Sequence, residues 1–162
     1  MTTTDQLLRN ARRFAEGFAQ DTGAAPRPTH VAVVACMDAR LDPQAILGLA
    51  SGDAHVIRNA GGVVSDDVIR SLAISQRLLG STEIMLVHHT DCGMLTFRDD
   101  DVKDQIAADT GIRPPFALEA FTDLDDDVRQ SIARIHASPF IPHKNVRGFV
   151  YEVESGRLRE VS

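Results

Sequence analysis

The only two cysteines of this 162-residue chain each stand beside other metal-capable side chains. Cys36 opens Cys36-Met37-Asp38-Ala39-Arg40, and Cys92 closes His89-Thr90-Asp91-Cys92. Two thiolates, an imidazole and a carboxylate make a zinc ligand set: sulfur binds Zn²⁺ at about 2.3 Å, histidine nitrogen at about 2.0–2.1 Å, and Cys2His with Asp or water in fourth place is a catalytic arrangement. His88 and His89 compete for the imidazole position. The three-residue step to Cys92 favours His89, and successive strand side chains point to opposite faces, which turns His88 into the interior as a hydrogen-bonded residue. His30, His55, His136 and His143 lack ligand spacing to anything. Asp91 reads as a helix-start residue and not a ligand.

Each half of this set follows a short apolar run: Val31 to Ala35 before Cys36, and Ile84 to Val87 before His88. Such runs are buried strands that deliver ligands at their carboxyl ends. Around them helical and strand patterns alternate. Thr3 with Gln6 makes a capping box for a helix with Leu7, Ala11, Phe14, Ala15 and Phe18 on one face, and Gly23 to Pro28 breaks it. Asp42-Pro43 starts a short helix ending between Gly48 and Gly52. His55 to Arg58 is a second strand. Ser65 caps a helix that turns Val68, Ile69, Leu72, Leu78 and Leu79 to the core and stops at Gly80. Asn59-Ala60-Gly61-Gly62 is a tight strand-to-helix connection, too short to cradle a pyrophosphate, and neither G-x-G-x-x-G nor a P-loop is present.

Further helices run from Asp99 to before Gly111 and over 123–137, the latter with Val128, Ile132 and Ile135 on one face; Pro114-Pro115 marks a loop. Gly148 to Val153, a Ser155-Gly156 turn and Leu158 to Val161 form a terminal strand and hairpin. The fold class is therefore α/β: a single domain with a mostly parallel central sheet flanked by helices and a C-terminal hairpin. Residues 1–28 read as an N-terminal helical arm and linker, and residues 29–162 as the zinc-binding α/β domain.

Composition narrows the function. With 43% apolar residues the chain can bury one real core. Net charge is −6, and the 17 basic residues are scattered, which argues against a nucleic-acid or anionic-membrane surface. Asp99 to Asp101 and Asp125 to Asp127 lack EF-hand spacing and read as solvated acidic helix starts. No signal peptide or long apolar run is visible, so a cytoplasmic location is expected, where both thiols stay reduced. A disulfide between them would leave Asp38, Arg40 and His89 without a role.

C-x-D-x-R followed by H-x-x-C-G, here Cys36, Asp38, Arg40, His89, Cys92 and Gly93, resembles the β-class carbonic anhydrases, as does Val56 to Gly61 between them. The likeness is closest to short bacterial members with a C-M-D-A-R motif. It implies one Zn²⁺ per chain on Cys36, His89 and Cys92. It also implies an Asp38–Arg40 dyad that either leaves the fourth position to water or lets Asp38 ligate zinc and shut the site. The activity implied is reversible hydration of carbon dioxide by zinc-bound hydroxide, in a homodimer or higher homo-oligomer whose N-terminal helix lies across a neighbouring subunit; from the sequence alone, packing of that helix on its own domain is an equal reading. The chain departs from the plant-type pattern in having no glutamine between Gln20 and Gln44, and it has no tryptophan around which to build a bicarbonate-regulated site. Carbonyl sulfide or carbon disulfide hydrolysis on the same zinc is the alternative, and a non-catalytic zinc-stabilised binding or redox-sensing protein is a further one.

Overall fold

The computed structural model describes residues 2–18 and 30–162. The expected break at Gly23 to Pro28 and the boundary at 28/29 lie outside them. Four parallel strands, β1 (Val31–Cys36), β2 (Ala54–Asn59), β3 (Glu83–His89) and β4 (Asn145–Tyr151), and the antiparallel β5 (Leu158–Val161) form one sheet in the order β2-β1-β3-β4-β5. β1 is followed by β2 on one side, and the chain then returns past it to β3 on the other. The switch point of the sheet is thus between β1 and β3, where open α/β sheets hold ligands beyond their carboxyl ends.

Both inner strands are almost wholly buried, as their continuous apolar runs require. Helices α2 (Pro43–Leu47), α3 (Asp66–Arg77), α4 (Asp99–Thr110) and α5 (Leu124–Ala137) fill the connections. α3 and α5 cover one face, where Val68, Leu72 and Ile135 pack on Ala32, Val34, Ile84 and Leu86. α5 sits tightly on β4: a Cβ on Gly148 would lie 2.2 Å from Val128 Cγ1, so only glycine allows that approach.

Several expectations need correction. The capping box of α1 (Thr3–Glu16) is Thr2 with Asp5, one residue earlier than expected, because a shorter acid at the third position closes it. Leu78 and Leu79 are exposed, at 76% and 54%, because α3 ends at Arg77 and the helical period no longer orients them. β4 begins at Asn145, ahead of the expected Gly148.

The acidic helix starts are also more than solvated charge. Asp125 is gripped at both oxygens by Arg159, and Asp99 accepts three backbone N–H groups from Leu118, Glu119 and Ala120 at 2.8–3.2 Å. Burial would raise the Asp99 carboxyl, but those N–H groups hold it below the usual range. A depressed folded value contributes stability above the unfolded value near 3.8 and loses it as pH falls through the folded one. Asp99→Ala is therefore expected to cost about 1–2 kcal/mol at neutral pH. In urea unfolding series the gap to wild type should close below about pH 4; a gap independent of pH would refute this reading.

Candidate metal centre

β1 ends at Cys36 and β3 at His89, and Cys92 follows one turn later as the lead-in to a short 3-10 turn, Gly93–Leu95. Adjacent parallel strands bring these side chains together although Cys36 and His89 stand 53 positions apart in sequence. One atom from each of Cys36, His89 and Cys92 lies within 4.8 Å of the others, and all three residues are buried. Both thiols are free.

Hydrogen bonding prepares the imidazole. His89 Nδ1 is 2.8 Å from the Thr90 carbonyl oxygen, which can only accept, so Nδ1 carries a proton and, in the neutral ring, Nε2 offers a lone pair. Nε2 is buried without a hydrogen-bond partner. A metal ligand has that arrangement: one ring nitrogen held by a carbonyl, the other open.

The electrostatics favour a cation. A hydrogen bond from Cys92 is the main influence holding the Cys36 thiol well below its usual range, assisted against burial by His89 and the N–H groups of Asp38 and Gly61. The same pairing, with burial, drives the Cys92 thiol up. Burial opposes charge on His89, yet Cys36, the Thr90 carbonyl and Asp38 outweigh it and raise its value. Soft sulfur with imidazole nitrogen suits zinc, so these donors fit that ion.

Asp38 stands beside this group, its Oδ2 3.7 Å from His89 Nε2. Its oxygens face Arg40 instead. Oδ1 accepts from Arg40 Nε at 3.0 Å and from its backbone N–H at 2.8 Å, and Oδ2 accepts from Nη2 at 2.9 Å. This bidentate grip holds the Asp38 carboxyl far below the usual carboxylate range. The sites expected from sequence thus divide: Cys36, His89 and Cys92 converge, while Asp38 is turned toward Arg40.

A pocket of about 320 Å³ opens over the ligands, walled by Met37, Ala60, Gly61, Met94 and Phe97. Ala60 and Gly61 belong to the tight 3-10 turn Ala60–Gly62. Gly62 has φ of +72°, and a Cβ there would lie 2.9 Å from the Cys36 backbone nitrogen, so the turn can close against the end of β1 only with glycine. His88 points the other way, as expected, with Nε2 2.7 Å from Asp127 Oδ2.

A carbonic anhydrase family model matches residues 31–158. The β-carbonic anhydrase 1 of Mycobacterium tuberculosis is 58% identical over 165 residues, covering 100% of this chain and 99% of that protein. The chain belongs to the β-carbonic anhydrase family. The solved carbonic anhydrase of Streptococcus mutans is similar at a TM-score of 0.90 and 41% identity, covering 100% of this chain and 99% of that one. A carbon disulfide hydrolase of Acidithiobacillus thiooxidans is 33% identical over 156 residues, spanning 83% of this chain and 78% of that protein. Full-length kinship with enzymes sets aside the non-catalytic alternative.

Sequence reasoning missed two residues of this carbonic anhydrase site. Asp91 is not a helix start: it sits in a turn at φ of +55°, its carboxylate Oδ2 accepts from Arg40 Nη1 at 2.8 Å, and its carbonyl accepts from Nη2 at 3.0 Å. Arg58, at the end of β2, donates to the carbonyls of Cys36, Asp38 and Leu41 at 2.7–3.0 Å and so pins the loop that carries Cys36. Neither leaves a local mark in the sequence beyond its charge. Arg58→Ala is expected to weaken zinc retention about 10- to 100-fold in chelator competition, as loss of a ligand-supporting contact does. Unchanged retention would show the clamp to be dispensable.

Proposed function

We propose that this chain catalyses the reversible hydration of carbon dioxide to bicarbonate and a proton, with Cys36, His89 and Cys92 holding one zinc ion. The observation that carries this reading is the buried, partnerless Nε2 of His89 set beside two sulfurs under an apolar pocket. Zinc, when bound, lowers the pKa of water to about 7 and so supplies hydroxide at neutral pH.

The chain's own residues then do the rest. Thr90 holds the Nδ1 proton of His89 and keeps Nε2 free to ligate. Met37, Met94 and Phe97 give a small neutral substrate an apolar wall and limit water around it. Asp38 stays ionised and offers a carboxylate oxygen at the open side of the ligand group, an acceptor that orients the proton of the attacking water. Arg40 draws that carboxylate back. Released from Arg40, Asp38 is close enough to become a fourth ligand and shut the site, which makes the pair a gate.

The 33% identity to a carbon disulfide hydrolase and the missing glutamine favour a second reading, hydrolysis of carbonyl sulfide or carbon disulfide on the same ligands. Side-by-side assays separate the two. Stopped-flow hydration of carbon dioxide with no sulfide released from either sulfur substrate is the expected result; sulfide release without hydration would reverse the assignment.

The working form is proposed to be a homodimer or larger homo-oligomer. α1 has no buried residue; Leu7, Leu8 and Phe14 along it, and Phe18 just past its end, are all more than half exposed. Such a stripe is a surface for another copy. Light scattering should give at least twice the 17.6 kDa chain mass; a fully active monomer at micromolar concentration would contradict it. Two free thiols at the centre fit a reducing cytoplasm, where we place the protein. No helix among the described residues is long and apolar enough to cross a membrane.

A further inference from the structure

We propose that Asp91 is a positioning residue that sets how strongly Arg40 holds Asp38 away from the metal, and so how often the fourth ligand position is open. This rests on the gating role given above to Asp38 and Arg40.

Arg40 is held between two loops. Its Nε and Nη2 face the Asp38 carboxylate on the loop leaving β1, while Nη1 donates to Asp91 Oδ2 at 2.8 Å on the loop leaving β3. Nη2 also donates to the Asp91 carbonyl oxygen at 3.0 Å. A lone arginine two residues from its carboxylate could follow that carboxylate wherever it swings. Fixed on its other edge to a separate loop, it cannot. Asp38 must then break two parallel charge-assisted hydrogen bonds to reach the metal, a cost it would escape if Arg40 travelled with it.

The backbone supports the same assignment. Asp91 adopts φ of +55°, and it is one of only two non-glycine residues among those described with a left-handed backbone. Aspartate tolerates that conformation better than most residues, and the turn aims both its carbonyl and its carboxylate at one guanidinium. Asp91 lies immediately before Cys92, so the contact ties the Cys92 loop to the Cys36 loop through Arg40. The Asp91 side chain is 79% exposed, so the effect on the gate is modest. An exposed pair of this kind is worth about a 1.5- to 5-fold change in an equilibrium.

Azide binding to the cobalt-substituted protein reads the gate directly, because azide needs the fourth position and shifts the cobalt absorption spectrum whatever the natural substrate is. Asp91→Gly keeps the left-handed backbone and the carbonyl but removes the carboxylate; it should bind cobalt fully and weaken azide about 2- to 5-fold at fixed pH. Asp91→Asn, which keeps an oxygen acceptor, should restore most of that loss. In an Asp38→Ala background, Asp91→Gly should change nothing, since no carboxylate remains to close the site. Unaltered azide affinity in Asp91→Gly, or the same loss with and without Asp38, would overturn the proposal while leaving the metal centre intact. Failure of the wild-type chain to bind cobalt would sink the metal-centre reading and this inference with it. Absence of carbon dioxide hydration in a protein whose azide response follows the expected pattern would count against the proposed reaction alone.

Discussion

Cys36→Ser and Cys92→Ser are each expected to empty the metal centre. Zinc measured by elemental analysis should fall from about one per chain to below about 0.1, and carbon dioxide hydration should fall by about 10³-fold or more with it. Serine oxygen is a hard, weakly acidic donor in place of a thiolate, and the two sulfurs are two of the three donors that converge among the described residues. His89→Ala should weaken zinc strongly for the same reason. His88→Ala is the informative contrast: that ring faces Asp127 on the other side of the sheet, so zinc should stay while stability drops by about 1–3 kcal/mol from the carboxylate left without its partner. Stoichiometric zinc in both serine variants would overturn the ligand assignment, and zinc loss in His88→Ala with retention in His89→Ala would exchange the two histidines.

Arg40→Ala is expected to keep zinc and lose about 10- to 100-fold in hydration rate, with the surviving activity displaced toward higher pH. Because Arg40 holds its carboxyl far below the usual range, Asp38 is ionised throughout neutral and alkaline conditions, and its own titration cannot shape the rate there. What changes with pH is its competitor for the fourth position. Proton loss from water makes a stronger rival to the carboxylate, so wild-type activity should be low near about pH 7 and climb toward about pH 9. Without Arg40 the carboxylate competes better, and the climb starts later. Asp38→Ala removes the competitor and the proton acceptor together: it should also retain zinc, be slower by about 10²-fold, and show no late alkaline climb. The linkage to stability runs the other way. A depressed carboxyl contributes above its unfolded value near 3.8 and stops contributing only as acid reaches its folded value, so the pair is not undone at the pH where the gate operates. A wild-type rate flat from about pH 6.5 to 9, with Arg40→Ala as active as wild type, would reduce the pair to a loop ion pair.

The ligand-bearing parts of the site were legible because local chemistry fixes them. Apolar β-branched runs end at Cys36 and at His89, and the period of two in a strand decides between His88 and His89 without reference to anything distant. Arg58, Asp91 and Asp99 were not legible, for one shared reason. Each works through hydrogen bonds to backbone or side-chain groups about 20 to 50 residues away, and nothing adjacent to it records the partner. Asp99 illustrates the difficulty: as the first of three aspartates opening a helix it looks like dipole compensation, whereas its oxygens collect the N–H groups of 118–120. Leu78 and Leu79 failed differently. The helical period pointed them inward, but α3 stops one residue short of them.

The placement of β1 and β3 side by side at the middle of the sheet has a kinetic consequence. A chain emerging from the ribosome presents Cys36 long before His89 and Cys92, and β2, the outer neighbour of β1, is also made before β3. The three donors can converge only when β3 docks on the inner edge, a contact of long sequence separation whose loop-closure entropy must be met first. Metal capture is thus timed to the step that joins the two halves of the sheet. Until then an early-bound ion would hold on Cys36 alone, so tight zinc uptake during refolding should mark the moment of central strand pairing.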